Sequence, residues 1–137
     1  MERIKEIFER IKAIENKKGN ETFSYNVDHC FETELETLMD YFYYERLNWC
    51  GCGNPEEAQT AILNFLDAHE EFDNREEKLK KYFGFKYVYD NPLLLCFAYT
   101  MDAAGFTEHG TSIGGAWLTE DGEDYLYCLR LWAKMEG

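Results

Sequence analysis

Apolar side chains recur at helical spacing along most of this chain, and that periodicity restricts the fold class more than any other feature. Residues 2–16, for example, place isoleucine or phenylalanine on one face every three or four positions. Asn54-Pro55 and Asn91-Pro92 each join a preferred N-cap residue to a proline that suits the first helical position. The pattern predicts helices over 2–16, about 28–47, 55–69, 75–83, 92–104 and 119–134.

The last third of the chain is less regular. Residues 105–118 contain four glycines, which indicates a hairpin or an irregular extended segment. Residues 85–89 fit either a short strand or a connector. We therefore predict a mainly α fold of five to six helices with a small β-hairpin or wing-like element near 107–118, with an α+β arrangement as the alternative. A chain of 137 residues can bury its own core, so 1–137 is expected to be a single acidic globular domain.

Charge is distributed unevenly along the chain. Of the 27 acidic residues, thirteen fall between residues 19 and 74, where Arg46 is the only base. Basic residues outnumber acidic ones in 1–18 and in 75–86. The formal net charge of −13 is therefore concentrated in one segment. This pattern favours contact with a basic protein partner and disfavours nucleic-acid binding by that face.

The predicted second helix carries the strongest candidate binding surface. Glu32, Glu36 and Asp40 are four residues apart, so they share one helix face and rise about 6 Å per step. Neighbouring tyrosine and tryptophan side chains could anchor a partner, because these residues concentrate binding energy in interfaces. An ordinary solvated helix face is the alternative. The predicted partner-binding residues are Glu32, Glu34, Glu36, Asp40, Tyr41, Tyr44, Glu45 and Trp49.

The end of the glycine-rich segment carries a resemblance to a known family. Between Trp117 and Leu126 the chain reads Leu-Thr-Glu-Asp-Gly. This resembles the junction in winged-helix regulators where the last strand of the wing enters a helix through a Leu-Thr-x-x-Gly step. The resemblance implies a regulatory or assembly module whose contact loop is 106–118, aided by the basic segment 75–86. Residues 92–104 contain no Lys or Arg, so protein contact is favoured over DNA reading.

A second resemblance suggests a biological setting. The stretch from Phe106 to Gly122, together with the Cys50-Gly-Cys-Gly53 turn, is similar to small uncharacterised proteins of bacteriophages and low-GC Gram-positive bacteria. That similarity implies a setting without implying a mechanism. The amphipathic, charged N-terminus is unlike a signal peptide, and no apolar run approaches the length of a membrane span, so a cytoplasmic protein without membrane contact is expected.

Cysteine and histidine residues give a further, metal-binding hypothesis. Cys50 and Cys52 could supply two thiolates to a zinc site. The one-residue gap between them equally fits a tight glycine-rich turn with small apolar side chains. The residues that could complete four ligands are Cys30, His29 and His109.

Two polar features allow other interpretations. Glu108-His109, close to Ser112, could support acid–base or nucleophilic chemistry, or could be a polar loop that bonds to local backbone. His69 lies on the apolar face of its helix and is expected to be a satisfied, partly buried histidine. The chain has no phosphate loop and no nucleophile elbow, and no cofactor is expected.

These observations give one leading hypothesis and two alternatives. The leading hypothesis is a non-enzymatic inhibitor or adaptor that docks an acidic, aromatic-rimmed face onto a basic protein surface. In a phage setting it would act as an anti-defence protein in the host cytoplasm, by occupying a nucleic-acid-binding channel. The alternatives are a winged-helix-like regulatory or assembly module and a small metalloprotein or hydrolase that uses the Cys50/Cys52 turn and His109. The sequence leaves the oligomeric state open.

Overall fold

A computed structural model describes residues 2–19, 34–47 and 55–136. These ranges contain six α-helices, one π-helix, two 3-10 helices and a two-stranded antiparallel sheet. The predicted mainly α fold with a small hairpin is therefore confirmed. Among the helices of these ranges, none combines the length and the apolar character that a bilayer crossing requires. The α-helices are α1 (Glu2–Lys17), α2 (Glu34–Asp40), α3 (Pro55–Ala68), α4 (Arg75–Phe83), α5 (Pro92–Ala103) and α6 (Glu120–Glu136).

Helix α1 forms where the sequence predicts it and turns most of the predicted face inward. Ile14 differs, because 41% of its surface is exposed. The inward position at that end of α1 is taken by Glu15, which is buried and accepts a hydrogen bond from the hydroxyl of Tyr41. The apolar residues of α1 that are buried are Ile4, Ile7, Phe8 and Ile11.

The second predicted helix changes geometry halfway along its described part. Helix α2 is followed directly by a π-helix over Tyr41–Arg46. At its end the amide of Leu47 donates to the carbonyl of Phe42, five residues back, at 3.1 Å. The wider turn allows three consecutive aromatic side chains, at positions 41 to 43, to be buried together. Such π-helical turns are often found at functional sites.

An aromatic cluster joins the second helical segment to the C-terminal half of the chain. The ring of Phe42 stacks on Tyr125 of α6 at 4.9 Å between centroids, and it meets Phe106 edge-on at 5.8 Å. Phe106 and Tyr125 are themselves 5.0 Å apart. All three side chains are fully buried. Each contributes about 1.5–3 kcal/mol of transfer free energy, so the cluster is a main source of stability between distant parts of the chain.

Of the two predicted Asn-Pro caps, Asn91 acts as predicted, and Asn54 lies outside the described residues. The side-chain oxygen of Asn91 accepts hydrogen bonds from the amides of Leu93 and Leu94 at 2.9 and 3.1 Å. Helix α5 then ends before Gly105, whose φ of +85° is costly for other residues. Residues 85–89 form a connector that leads into a 3-10 helix at Val88–Asp90, so the connector interpretation of this segment is confirmed.

The predicted hairpin is present, and its turn is built by a 3-10 helix. Strands β1 (Thr107–Glu108) and β2 (Trp117–Leu118) pair in antiparallel orientation, with Thr107 opposite Leu118. The 3-10 helix Ile113–Gly115 lies between them. The sheet is short, so the hairpin depends on contacts with the helices around it.

The step from β2 into α6 explains the Leu-Thr-x-x-Gly pattern structurally. The hydroxyl of Thr119 accepts from the amide of Gly122 at 3.0 Å and donates to the carbonyl of Gly105 at 2.5 Å. Thr119 therefore caps α6, as predicted. A Cβ atom on Gly122 would lie 1.9 Å from the carbonyl oxygen of Phe106, so only glycine fits there without movement of the backbone.

Candidate protein-binding surface

The predicted binding residues within α2 and the π-helix form a narrow outward strip. Asp40, Tyr44 and Glu45 are exposed and Glu36 is half-buried, whereas all other residues from 35 to 43 are buried. Tyr44 has 58% of its surface exposed. Residues four apart share a helix face, so the exposed pattern follows from the geometry of the helix. We refer to Glu36, Asp40, Tyr44 and Glu45 as the acidic strip.

The only base of the acidic segment is engaged elsewhere. Arg46 donates to the carboxylate of Asp121 at 2.6 Å and to the carbonyl of Ala104 at 2.9 Å. Its guanidinium lies 5.8 Å from the ring centroid of Phe106. Arg46 therefore links the π-helix to the start of α6 and the end of α5. The sequence offered one signal for this role, namely that Arg46 is the only base among thirteen acids.

Tyr41 does not belong to the exposed strip. Its side chain is only 4% exposed, and its hydroxyl is bonded to Glu15 and Arg46. Burial, aided by the bond to Glu15, raises the pKa of Tyr41 to about 12. The expectation of an exposed anchor at this position is therefore corrected, because Tyr41 follows the buried Thr37 by four residues and so lies on the inward face of the helix.

The remaining predicted contact residues are Glu34, Glu32 and Trp49. Glu34 is half-buried at the first position of α2. Glu32 and Trp49 lie outside the described residues, so their part in the surface stays a prediction.

The arginines of α1 pair with α6. Arg10 forms ion pairs with Asp124, with Asp121 at 3.2 Å and with Glu120 at 3.3 Å. Arg3 lies 3.8 Å from Asp124. The basic N-terminal segment thus compensates acids at the beginning of the last helix.

Part of the acidic segment is neutralised within the fold. Asp67 accepts hydrogen bonds from Arg130 and, at 2.6 Å, from the hydroxyl of Tyr82, while Lys78 lies 3.5 Å away. Although burial opposes the effect, these partners lower the pKa of Asp67. Arg130 also pairs with Glu70 at 2.8 Å. Asp67, in the last turn of α3, and Glu70, just beyond that helix, are therefore poor candidates for recognition of a basic partner.

The hairpin is held to its surroundings by polar contacts. Nδ1 of His109 lies 3.0 Å from a carboxylate oxygen of Asp102 in α5. The hydroxyl of Tyr89 bonds to Ser112 and accepts from the amide of Gly114 at 3.0 Å. The indole of Trp117 donates to Glu108 at 3.3 Å. Asp102 is placed to orient the imidazole of His109, an arrangement that is also found in acid–base sites. In such a site Ser112 would be the candidate nucleophile, but its hydroxyl is bonded to Tyr89.

The proposed zinc site falls mostly outside the described residues. Cys30, Cys50, Cys52 and His29 all lie there, and only His109 is described. In the part of the chain that the structure describes, no three histidine, cysteine or acidic side chains cluster in a way that could hold a metal ion. The metalloprotein and hydrolase hypotheses stay predictions.

His69 is more completely buried than expected, and within the described part of the chain only one of its two ring nitrogens has a hydrogen-bond partner. It is 3% exposed, and its ring stacks on Phe65 with 4.2 Å between centroids. Nδ1 lies 2.8 Å from the carbonyl of Phe65, but Nε2 has no hydrogen-bond partner among the described groups. Burial lowers the pKa of His69 to about 4. The expectation of a satisfied histidine is corrected, because Nε2 is buried without a hydrogen-bond partner in the described ranges.

Comparison with protein-family models, with curated proteins and with solved structures gives no significant match. The resemblances to winged-helix regulators and to small phage proteins therefore stay predictions.

Proposed function

We propose that this protein is a non-enzymatic binding protein that docks its acidic strip onto a basic protein surface. The observation that carries the proposal is the outward display of Asp40, Tyr44 and Glu45 on a helical segment whose only base, Arg46, is bound to Asp121. That base is also held by the carbonyl of Ala104 at the end of α5.

The two kinds of side chain in the strip have different roles. The carboxylates steer a basic partner and give fast association that weakens as salt increases. Tyr44 supplies apolar surface, and burial of this surface in the contact stabilises the bound state. A partner surface rich in Lys and Arg, such as one that binds nucleic acid, fits this strip best. In the phage setting suggested by the sequence, occupation of that surface would inhibit a host defence protein.

A capture experiment with matched variants tests the proposal. The first variant reverses charge within the strip (Glu36→Lys, Asp40→Lys, Glu45→Lys). The control reverses three exposed acids elsewhere (Glu9→Lys, Asp73→Lys, Glu123→Lys). Each variant has the same formal net charge, since three changes of +2 take −13 to −7.

Both tagged variants and the wild type are incubated with lysate of a low-GC Gram-positive bacterium at low and moderate salt. We expect a nucleic-acid-binding protein to be captured by wild type and by the control, and to be lost with the strip variant. The Tyr44→Ser variant should weaken capture at both salt concentrations. Equal capture by wild type and both charge variants would contradict the proposal, because it would show that the strip is not the contact surface.

A winged-helix-like module is the second candidate, and the described strand-to-helix step favours it. Three helices, α3 to α5, precede the hairpin, and the Thr119 cap with the close approach of Gly122 leads from β2 into α6. The exposed residues of α5 include Leu93 and Tyr99 and no base. Affinity for DNA that falls steeply with salt would support DNA binding by this module. The absence of any affinity for DNA at low salt would exclude DNA binding.

A further inference from the structure

An apolar groove lies between the end of α4 and the start of α5. Its volume is about 220 Å³. Small-molecule sites usually measure about 300–1,000 Å³, so this groove is better matched to one large side chain. Among the described residues, none with a charged side chain lines it. The lining residues are Phe83, Phe85, Asn91, Leu93, Leu94 and Phe97.

The rim of the groove displays apolar side chains from the start of α5 and from the connector before it. Leu93 has 82% of its surface exposed and Phe85 has 36%. The amide of Leu93 is held by the Asn91 cap at 2.9 Å, so its position is defined by the first turn of α5. Further along the same helix, Cys96 and Tyr99 are also exposed. An uncharged, partly aromatic helix face beside a groove is typical of the centre of a protein interface.

The chain segment that carries Phe83 and Phe85 is rich in lysine. Residues 78–89 contain four lysines and no acid, and the first acid after them is the exposed Asp90. Lys78 is paired with Asp67. Lys80 and Lys86 are exposed and form no ion pair with any residue in the described ranges. The nearest acid in sequence before them is Glu77, and Glu76 is hydrogen-bonded to Tyr87. The groove therefore combines apolar contact with exposed lysines in the segment that carries Phe83 and Phe85.

We infer that this groove docks an acidic segment of a protein partner, which inserts one leucine- or phenylalanine-sized side chain. The carboxylates of that segment would face Lys80 and Lys86. Charge complementarity selects an acidic segment over a basic one. The concave shape and the size of one side chain favour a peptide over a lipid surface, which requires a protruding apolar face. The acidic strip shares no residue with this groove, so the inference is independent of the proposed function.

Peptide selection tests the inference even though the natural partner is unidentified. A library of random displayed peptides is selected on the wild-type protein and depleted on the Leu93→Ser variant. We expect enriched peptides to share one leucine or aromatic residue flanked by Asp or Glu. No enrichment over the unselected library, or enrichment of basic peptides, would overturn the inference.

The most enriched peptide is then labelled and its affinity measured by fluorescence anisotropy. Leu93→Ser should weaken binding at least about tenfold, as for a central interface residue. The matched control Met135→Ser removes another exposed apolar side chain and should leave affinity unchanged. Lys86→Glu should weaken binding about three- to tenfold at low salt, and the control Lys5→Glu should not.

Two further measurements exclude other occupants. Vesicles of phosphatidylcholine and phosphatidylserine that bind wild type and not Leu93→Ser would identify the groove as a membrane contact and overturn the inference. Sedimentation velocity of the protein alone would do the same if Leu93→Ser abolished self-association, because a second copy would then be the occupant. We expect no binding to vesicles and no self-association that depends on Leu93.

Discussion

The burial of His69 predicts a specific loss of stability in mild acid. Its pKa falls from the ordinary 6.5 to about 4 in the folded protein, primarily because burial disfavours the charged imidazolium. Nearby Arg75 adds to this effect, while the hydrogen bond to the Phe65 carbonyl opposes it. Below pH 6.5 the unfolded chain therefore binds a proton that the folded protein does not bind until about pH 4. The stabilising contribution is complete above pH 6.5 and is lost as the pH falls towards 4.

The size of this effect follows from the two pKa values. A difference of about 2.5 units corresponds to about 3 kcal/mol of folding free energy once both states are protonated. Between pH 7.5 and pH 5.5 the same two-state protonation gives a loss of about 1.3 kcal/mol. A pH of 5.5 is also above the sequence pI of 4.6. Near the pI the protein would lose its net charge, and this loss would promote association of protein molecules.

Urea denaturation of wild type, His69→Asn and His69→Phe at the two pH values measures this loss. The asparagine retains a donor for the Phe65 carbonyl, and the phenylalanine retains the stacked ring; neither titrates in this range. We expect the free energy of unfolding of wild type to fall by about 1.3 kcal/mol more than that of either variant between pH 7.5 and 5.5. Equal pH dependence in all three proteins would refute the reasoning, because it would mean that the imidazole keeps its solvation in the folded state.

Two further predictions concern contacts between distant segments. Gly122→Ala should destabilise the protein by about 2 kcal/mol or more, although alanine is the better helix former, because the new Cβ would lie 1.9 Å from the Phe106 carbonyl oxygen. Gly110→Ala, whose Cβ would meet open space, is the control and should change stability by less than about 0.5 kcal/mol, so similar losses in urea denaturation would contradict the explanation. A double-mutant cycle with Arg46→Met and Asp121→Asn should give a coupling energy of about 1–3 kcal/mol in the same assay. Additive effects would show that the 2.6 Å contact does not join the π-helix to α6.

The elements that the sequence predicted best are those fixed by local chemistry. The Asn91 cap and the Thr119 cap both satisfy helix amides through hydrogen bonds within three residues, so their signals are complete within a short stretch of sequence. The inward face of α1 follows from periodicity alone. Ile14 departs from this pattern because Glu15 is drawn inward by the hydroxyl of Tyr41, a partner 26 positions later in the chain.

The features that the sequence did not indicate depend on distant partners or on unusual backbone geometry. Tyr41 follows the predicted strip residue Asp40 directly, yet it is buried and its hydroxyl is bonded to Glu15 of α1, a partner that the sequence around residue 41 does not reveal. The apolar groove is formed by Phe85 from a connector and Leu93 from a helix start, and neither segment alone indicates a cavity. The lysines of this region are visible as a charge excess in 75–86, but no pattern in the sequence indicates an apolar opening in the same region.

The thirteen acids between residues 19 and 74 show why charge along a chain and charge on a surface are different quantities. Asp67 and Glu70 are compensated by Arg130, which is about sixty positions away, so their contribution to the external field is small. Asp40 and Glu45 remain exposed in a segment whose own arginine is bound to α6. A basic partner would therefore be attracted to the strip rather than to the acidic segment as a whole. Reversal of three strip charges should then abolish capture when reversal of three other exposed acids does not.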